Sequence, residues 1–193
     1  MRALVLTLVT LVAAPSSTFA QAKAPAEGIK VHGHWTIDVK NPDGTLVSHR
    51  EFDNALQSDG QTSLAKILTR GTSPLGWVVI LSDAATNSAL VLEEASLTNV
   101  FGQNLLPFPI NGVLSVAEAT TSGKDTVVLY GSFQSPTALS ISLVQSWLVT
   151  QAPGQAIGGG PFSQHAVSQP GTTQAIAVGA NQLVQVSVVF SFS

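Results

Sequence analysis

From Thr126 to Ser193 the chain carries no Lys, Arg, Asp or Glu, and its only titratable side chains there are Tyr130 and His165. A stretch of this length in an average protein holds roughly 17 charges. Charged side chains, Lys above all, are what β-proteins use to keep sheet edges and surfaces from sticking to one another. A third of this chain omits them. Such a segment folds only where its apolar residues are buried and Ser, Thr, Gln, Asn and Gly supply the surface, or where other copies cover it.

The pattern within that third is strand-like. In Leu183–Phe192, the residues Val184, Val186, Val188, Phe190 and Phe192 fall on one face, and Gln185, Ser187 and Ser191 on the other. This is period-2 alternation, expected of a strand with one buried face. Thr126–Phe133 and Leu139–Val149 read as strands, and Pro153–Pro161, with Gly158-Gly159-Gly160, reads as a flexible loop.

The first half opens with Val31–Lys40, whose Val31, Trp35, Ile37 and Val39 share a face. Asn41-Pro42-Asp43-Gly44 then supplies a turn, with Pro preset for the first central position and Gly for the left-handed one. Thr45–Phe52 returns as the second strand of a hairpin. Ser58-Asp59-Gly60 breaks the pattern, and Thr62–Leu68 has helical spacing, giving one short helix. Trp77–Leu81, Ala89–Glu94, Leu97–Phe101, Val113–Ala119 and Ala175–Val178 are further strand candidates. Leu105–Ile110, with two prolines, is unsuited to a central strand. Many strands and one short helix predict an all-β chain, an antiparallel β-sandwich of jelly-roll type. An outer-membrane barrel of this size needs aromatic girdles, and the chain has one Tyr and three Trp.

Residues 1–20 read as a signal peptide. Arg2 is the charged start and Ala3–Ala14 an apolar run too short to span a bilayer. Thr18 and Ala20 fit cleavage before Gln21. The expected product is one exported domain, 21–193, secreted to the cell surface or medium or held in the periplasm, with no membrane span. There is no Cys, hence no disulfide, thiolate metal site or cysteine nucleophile. Without Arg2 the chain has 7 basic and 11 acidic residues and no basic patch, which argues against nucleic acid as a partner.

Three places invite a search for chemistry. His32, His34 and His49 lie in the hairpin with Glu51 and Asp53. A four-residue loop at Asn41–Gly44 would set His34 opposite Glu51 with His49 on the diagonal, a candidate Zn²⁺ or Cu²⁺ set. A type I turn with a Gly bulge would slip the register by one and split the group. The plainer reading is the solvated face of an amphipathic hairpin, so no metal is expected. Asp83, Glu93, Glu94, Glu118 and Asp125 are scattered and read as surface and turn residues, not as a glycosidase pair. No Ser sits in a nucleophile elbow, and Gly158–Gly160 lacks the Lys of a phosphate loop. Trp35, Trp77 and Trp147 read as core residues before a sugar platform. No catalytic residue, cofactor or enzyme activity is expected.

The run Trp35-Thr-Ile-Asp-Val-Lys-Asn-Pro-Asp-Gly-Thr-Leu-Val47, with Glu51–Asn54, Gly60, Leu64–Leu68 and the closing Leu183–Phe192, resembles a group of bacterial and phage-tail-like β-sandwich structural proteins. The resemblance implies an assembly role. With the signal peptide, it points to a subunit of an extracellular filament or surface layer that pairs with copies of itself by strand addition. Val184, Val186, Val188, Phe190 and Phe192 then form the candidate assembly strand. The other reading is a monomeric secreted or periplasmic module that binds carbohydrate or metal.

Overall fold

The computed structural model describes residues 29–83, 85–98, 110–121, 123–167 and 174–193. The signal-peptide expectation and most of the Leu105–Ile110 segment lie outside them. Strands β1 (Val31–Lys40) and β2 (Leu46–Ala55) form the expected hairpin, followed by helix α1 (Ser58–Leu68). Then come β3 (Ser73–Asp83), β4 (Ser88–Glu94), a single turn α2 (Ala95–Thr98), β5 (Ile110–Thr121), β6 (Lys124–Gln134) and β7 (Leu139–Ile141). The chain ends on β8 (Leu143–Gln151), β9 (Ile157–Ala166), β10 (Ile176–Val178) and β11 (Leu183–Phe192). The all-β expectation with a short helix holds.

One nine-stranded sheet, ordered β2-β1-β11-β6-β5-β4-β3-β8-β9, makes the body, and β7 pairs with β10 in a small second sheet. Every pairing is antiparallel except β4 with β5. The sheet curls until its two ends meet, so the walls of the sandwich are continuous with each other. The accumulated twist of a sheet with this many strands favours such curling.

The inner face is set by alternation. Trp35, Ile37 and Val39 of β1, Val184, Val186, Val188 and Phe190 of β11, and Leu129 of β6 are all buried. Ile141, Ile176 and Val178 of the small sheet join the same core. Trp77 stacks on Phe190 at 5.4 Å and meets Phe162 edge-on at 4.9 Å. A smaller apolar layer lies on the outside of β3, β4 and β8. It contains Val78, Ile80, Val91, Val149 and Leu97 of α2, with Trp147 packed against it.

Three expectations change. Residues 157–161 are strand, not flexible loop: β9 runs through Gly158–Gly160 and Pro161 because it is a terminal strand, where a missing N–H and missing side chains are tolerated. The Leu139–Val149 run breaks at Ser142 into β7 and β8, which belong to different sheets. The Leu97–Phe101 strand candidate starts in α2, and its remainder lies outside the described residues.

Helix α1 begins four residues before the expected Thr62, at the Ser58-Asp59-Gly60 that reads as a breaker. Gly60 is buried against β9, and a Cβ there would lie 2.6 Å from the Phe162 carbonyl oxygen. The glycine is there for close approach of helix and strand, at the usual cost of glycine within a helix.

Candidate functional site

The turn at Asn41–Gly44 decides where the hairpin histidines point. Asn41 N donates to Thr45 O at 2.9 Å and Gly44 N to Asn41 O at 2.8 Å. Gly44 has φ +86°. Asp43 Oδ1 accepts from Thr45 N at 2.9 Å and from Thr45 Oγ1 at 2.6 Å, which holds the Asp43 carboxyl below its usual range. This is the bulged turn, which alone would split the His/acid group. A second irregularity follows: Lys40 pairs with Leu46 but Val39 with Ser48, leaving Val47 over. Two slips of one restore the parity.

His34 therefore stands opposite Asp53 rather than Glu51, Thr36 opposite Glu51, and Asp38 opposite His49. His34 Nδ1 lies 2.8 Å from Asp53 Oδ1, His49 Nδ1 2.6 Å from Asp38 Oδ1, and His49 Nε2 3.3 Å from Glu51 Oε1. The hydrogen bond to the Asp38 carboxylate raises the His49 pKa. His32 faces Ala55 and stays outside this row. Among the described residues, no three His, Asp or Glu side chains are arranged to hold a metal ion. The row is an exposed, hydrogen-bonded polar face.

The candidate assembly strand β11 is buried in its own sheet. Val184, Val186, Val188 and Phe190 are at most 1% exposed, while Phe192 at the rim is 37% exposed. Its main chain pairs with β1 on one side and β6 on the other. As a strand for exchange between copies it is already used. Both sides of β11 are thus taken within the chain.

Among the described residues, two stretches of edge in the nine-stranded sheet stand out. One is the seam where β2 and β9 meet. There Leu56 bridges Ser163, Gln57 N donates to Phe162 O at 2.9 Å, and the Phe52 ring stacks on His165 at 4.2 Å. Burial lowers the His165 pKa. Helix α1 packs along β9 beside this seam, a covered edge of the kind proteins use to prevent aggregation. The upper part of β2 carries His49, Arg50, Glu51 and Asp53, a charged edge.

The other is the lower half of β5. Its parallel pairing with β4 ends at Glu94 opposite Leu114, while its pairing with β6 continues to Thr121 opposite Lys124. Ser115, Val116, Ala117 and Glu118 are all exposed, so both faces of the strand meet solvent there. Among the described residues no strand pairs with the other side of Ser115–Thr121. The only charge in that stretch is Glu118. Nothing in the sequence marks where β4 stops, because the strand run of β5 reads the same along its length.

The carboxylates divide. Asp83 and Glu93, read from sequence as surface and turn residues, are 5% and 6% exposed. Asp83 does end a strand: its Oδ1 accepts from Ala85 N at 2.8 Å and its Oδ2 from Ser140 N at 3.2 Å, tying β3 to β7. The Ala85 amide, followed by the other donors, outweighs burial and lowers its pKa. Glu94 Oε2 accepts from Trp77 N at 3.0 Å. Trp35 is fully buried, and Trp77 and Trp147 pack partly buried against the two clusters, so the three do not form a shared platform. No helix among the described residues is long and apolar enough to cross a membrane. Comparison with protein-family models, curated proteins and solved structures finds no match for this chain.

Proposed function

We propose that this chain is an exported structural subunit that self-assembles into an extracellular filament or surface layer by pairing strands between copies. The observation that carries the reading is the lower half of β5: exposed on both faces, paired on one side among the described residues, and nearly free of charge. Natural edge strands of this length are shielded by Lys, Pro, a helix or a loop. β9 has Pro161 and α1, and upper β2 has its charges; Ser115–Thr121 has Glu118 alone. Strand addition would satisfy its unpaired main-chain groups. The charge-free third and the resemblance to structural β-sandwich proteins support the same reading, as does the absence of any recognisable catalytic motif in the sequence.

Size-exclusion chromatography of the chain 21–193 over a wide concentration range tests it. Concentration-dependent growth of the particle supports assembly, and a monomer throughout refutes it. A second reading, a secreted metal-binding module, would need the contiguous Asp38, His49 and Glu51 to rearrange around an ion, since no such trio stands ready to hold one among the described residues. Calorimetric zinc titration of the wild type and His49→Ala decides it. Saturable micromolar binding that the substitution abolishes would favour the module.

A further inference from the structure

Glu93 is buried, at 6% exposed, and one of its carboxylate oxygens, Oε1, has no hydrogen-bond partner among the described residues. It stands on β4 between Val78 of β3 and Val113 of β5, on the face that carries the outer apolar layer of Ile80, Val91 and Leu97. No ionisable side chain faces it there. Asp83 is at the far end of β3, Glu118 lies further down β5, and Glu94 is on the opposite face, bonded to Trp77 N. Helix α2 has no acid or base, and neither does the sequence of residues 99–109. Burial raises the Glu93 pKa. An ionised carboxylate in such a place is costly, whereas the protonated acid is far less so.

Its position gives the burial a consequence. Glu93 pairs with Val113, and the next pair, Glu94 with Leu114, is the last between β4 and β5. Directly below it the open edge of β5 begins. We propose that Glu93 is a proton-controlled latch: protonated, it keeps the end of β4 on β5; ionised, it releases that end and lengthens the open edge. The latch itself is a property of the monomer, and its role in regulating assembly rests on the function proposed above.

The sign follows from linkage. A carboxyl whose folded pKa is raised stabilises fully below its unfolded pKa, and that stability is lost as pH rises through the folded value. Opening of the β4 end should therefore grow with pH, by up to tenfold per unit inside the window, starting near the ordinary Glu value of about 4.3. Amide exchange at Leu92–Glu94 and Val113–Leu114, corrected for its intrinsic pH dependence, reads this directly. The wild type should show the slope, and Glu93→Gln, a neutral isostere of the acid, should be flat. A Glu93→Gln profile that tracks the wild type overturns the latch. So does a carbon-13 titration that places the Glu93 carboxyl among the ordinary glutamates, a measurement that needs no variant to fold. A wild type that is monomeric at every pH while keeping its exchange slope supports the latch and removes only the assembly reading.

Discussion

Replacing Phe190 by Ala tests the register of β11 and the core built on it. The Phe190 ring is 1% exposed, stacks on Trp77 at 5.4 Å and meets Phe162 edge-on at 5.1 Å. Truncating a buried Phe to Ala costs about 3–5 kcal/mol through lost transfer energy and the cavity left behind. Each kcal/mol lowers the melting temperature of a domain this size by about 2–4 °C, so the loss should be about 6–20 °C. Phe192 is on the same strand and face, two residues on, but 37% exposed at the rim. Phe192→Ala should cost about 1–2 kcal/mol, well under half the Phe190 loss. Thermal unfolding followed by circular dichroism compares the two. Equal shifts, or a Phe190→Ala shift of only a few degrees, would refute the placement of β11 and of its aromatic cluster.

Gly44→Val should destabilise by about 1 kcal/mol or more, since a β-branched residue resists the φ of +86° there; an unchanged melting temperature would contradict the bulged turn. Gly60→Ala should cost more than the helix-favouring gain of Ala offsets, because its Cβ meets the Phe162 carbonyl at 2.6 Å, and a stabilised variant would contradict the α1–β9 packing. Burial lowers the His165 pKa. The unfolded chain then takes the proton first, so stability should fall as pH drops below the ordinary His value of about 6.5 toward the folded one. Melting curves of His165→Phe, which keeps a ring against Phe52, should lose that acid-side fall.

The parts of the fold legible in the sequence are those fixed by local pattern. The buried faces of β1 and β11 follow from alternation at Trp35, Ile37 and Val39 and at Val184 through Phe190. The turn at Asn41–Gly44 follows from Pro and Gly. What the sequence hid is non-local. Gly158–Gly160 and Pro161 look like a loop until β8 supplies a partner for them. Gly60 looks like a helix breaker until β9 lies against it. Glu93 looks like a surface acid because alternation sends Leu90 and Leu92 inward, yet the opposite face of β4 is buried too. The His34–Asp53 pairing depends on a second bulge at Val47, which no turn signal announces. The apolar face of β11 was legible, but its flanking by β1 and β6 was not. That flanking leaves β11 paired on both sides, whereas the lower half of β5 is paired on one side among the described residues.

The exposed half of β5 permits a direct test of assembly. Ala117 is exposed and, among the described residues, pairs with Val128 alone. Ala117→Lys places on the open edge the residue that natural sheets use to block pairing. Sedimentation velocity and negative-stain microscopy of the wild type and Ala117→Lys, at matched concentration, read the result. Assembly through β5 gives polymers from the wild type, monomers from the variant, and the same melting temperature for both. A wild type that stays monomeric, or a variant that polymerises as the wild type does, would contradict it.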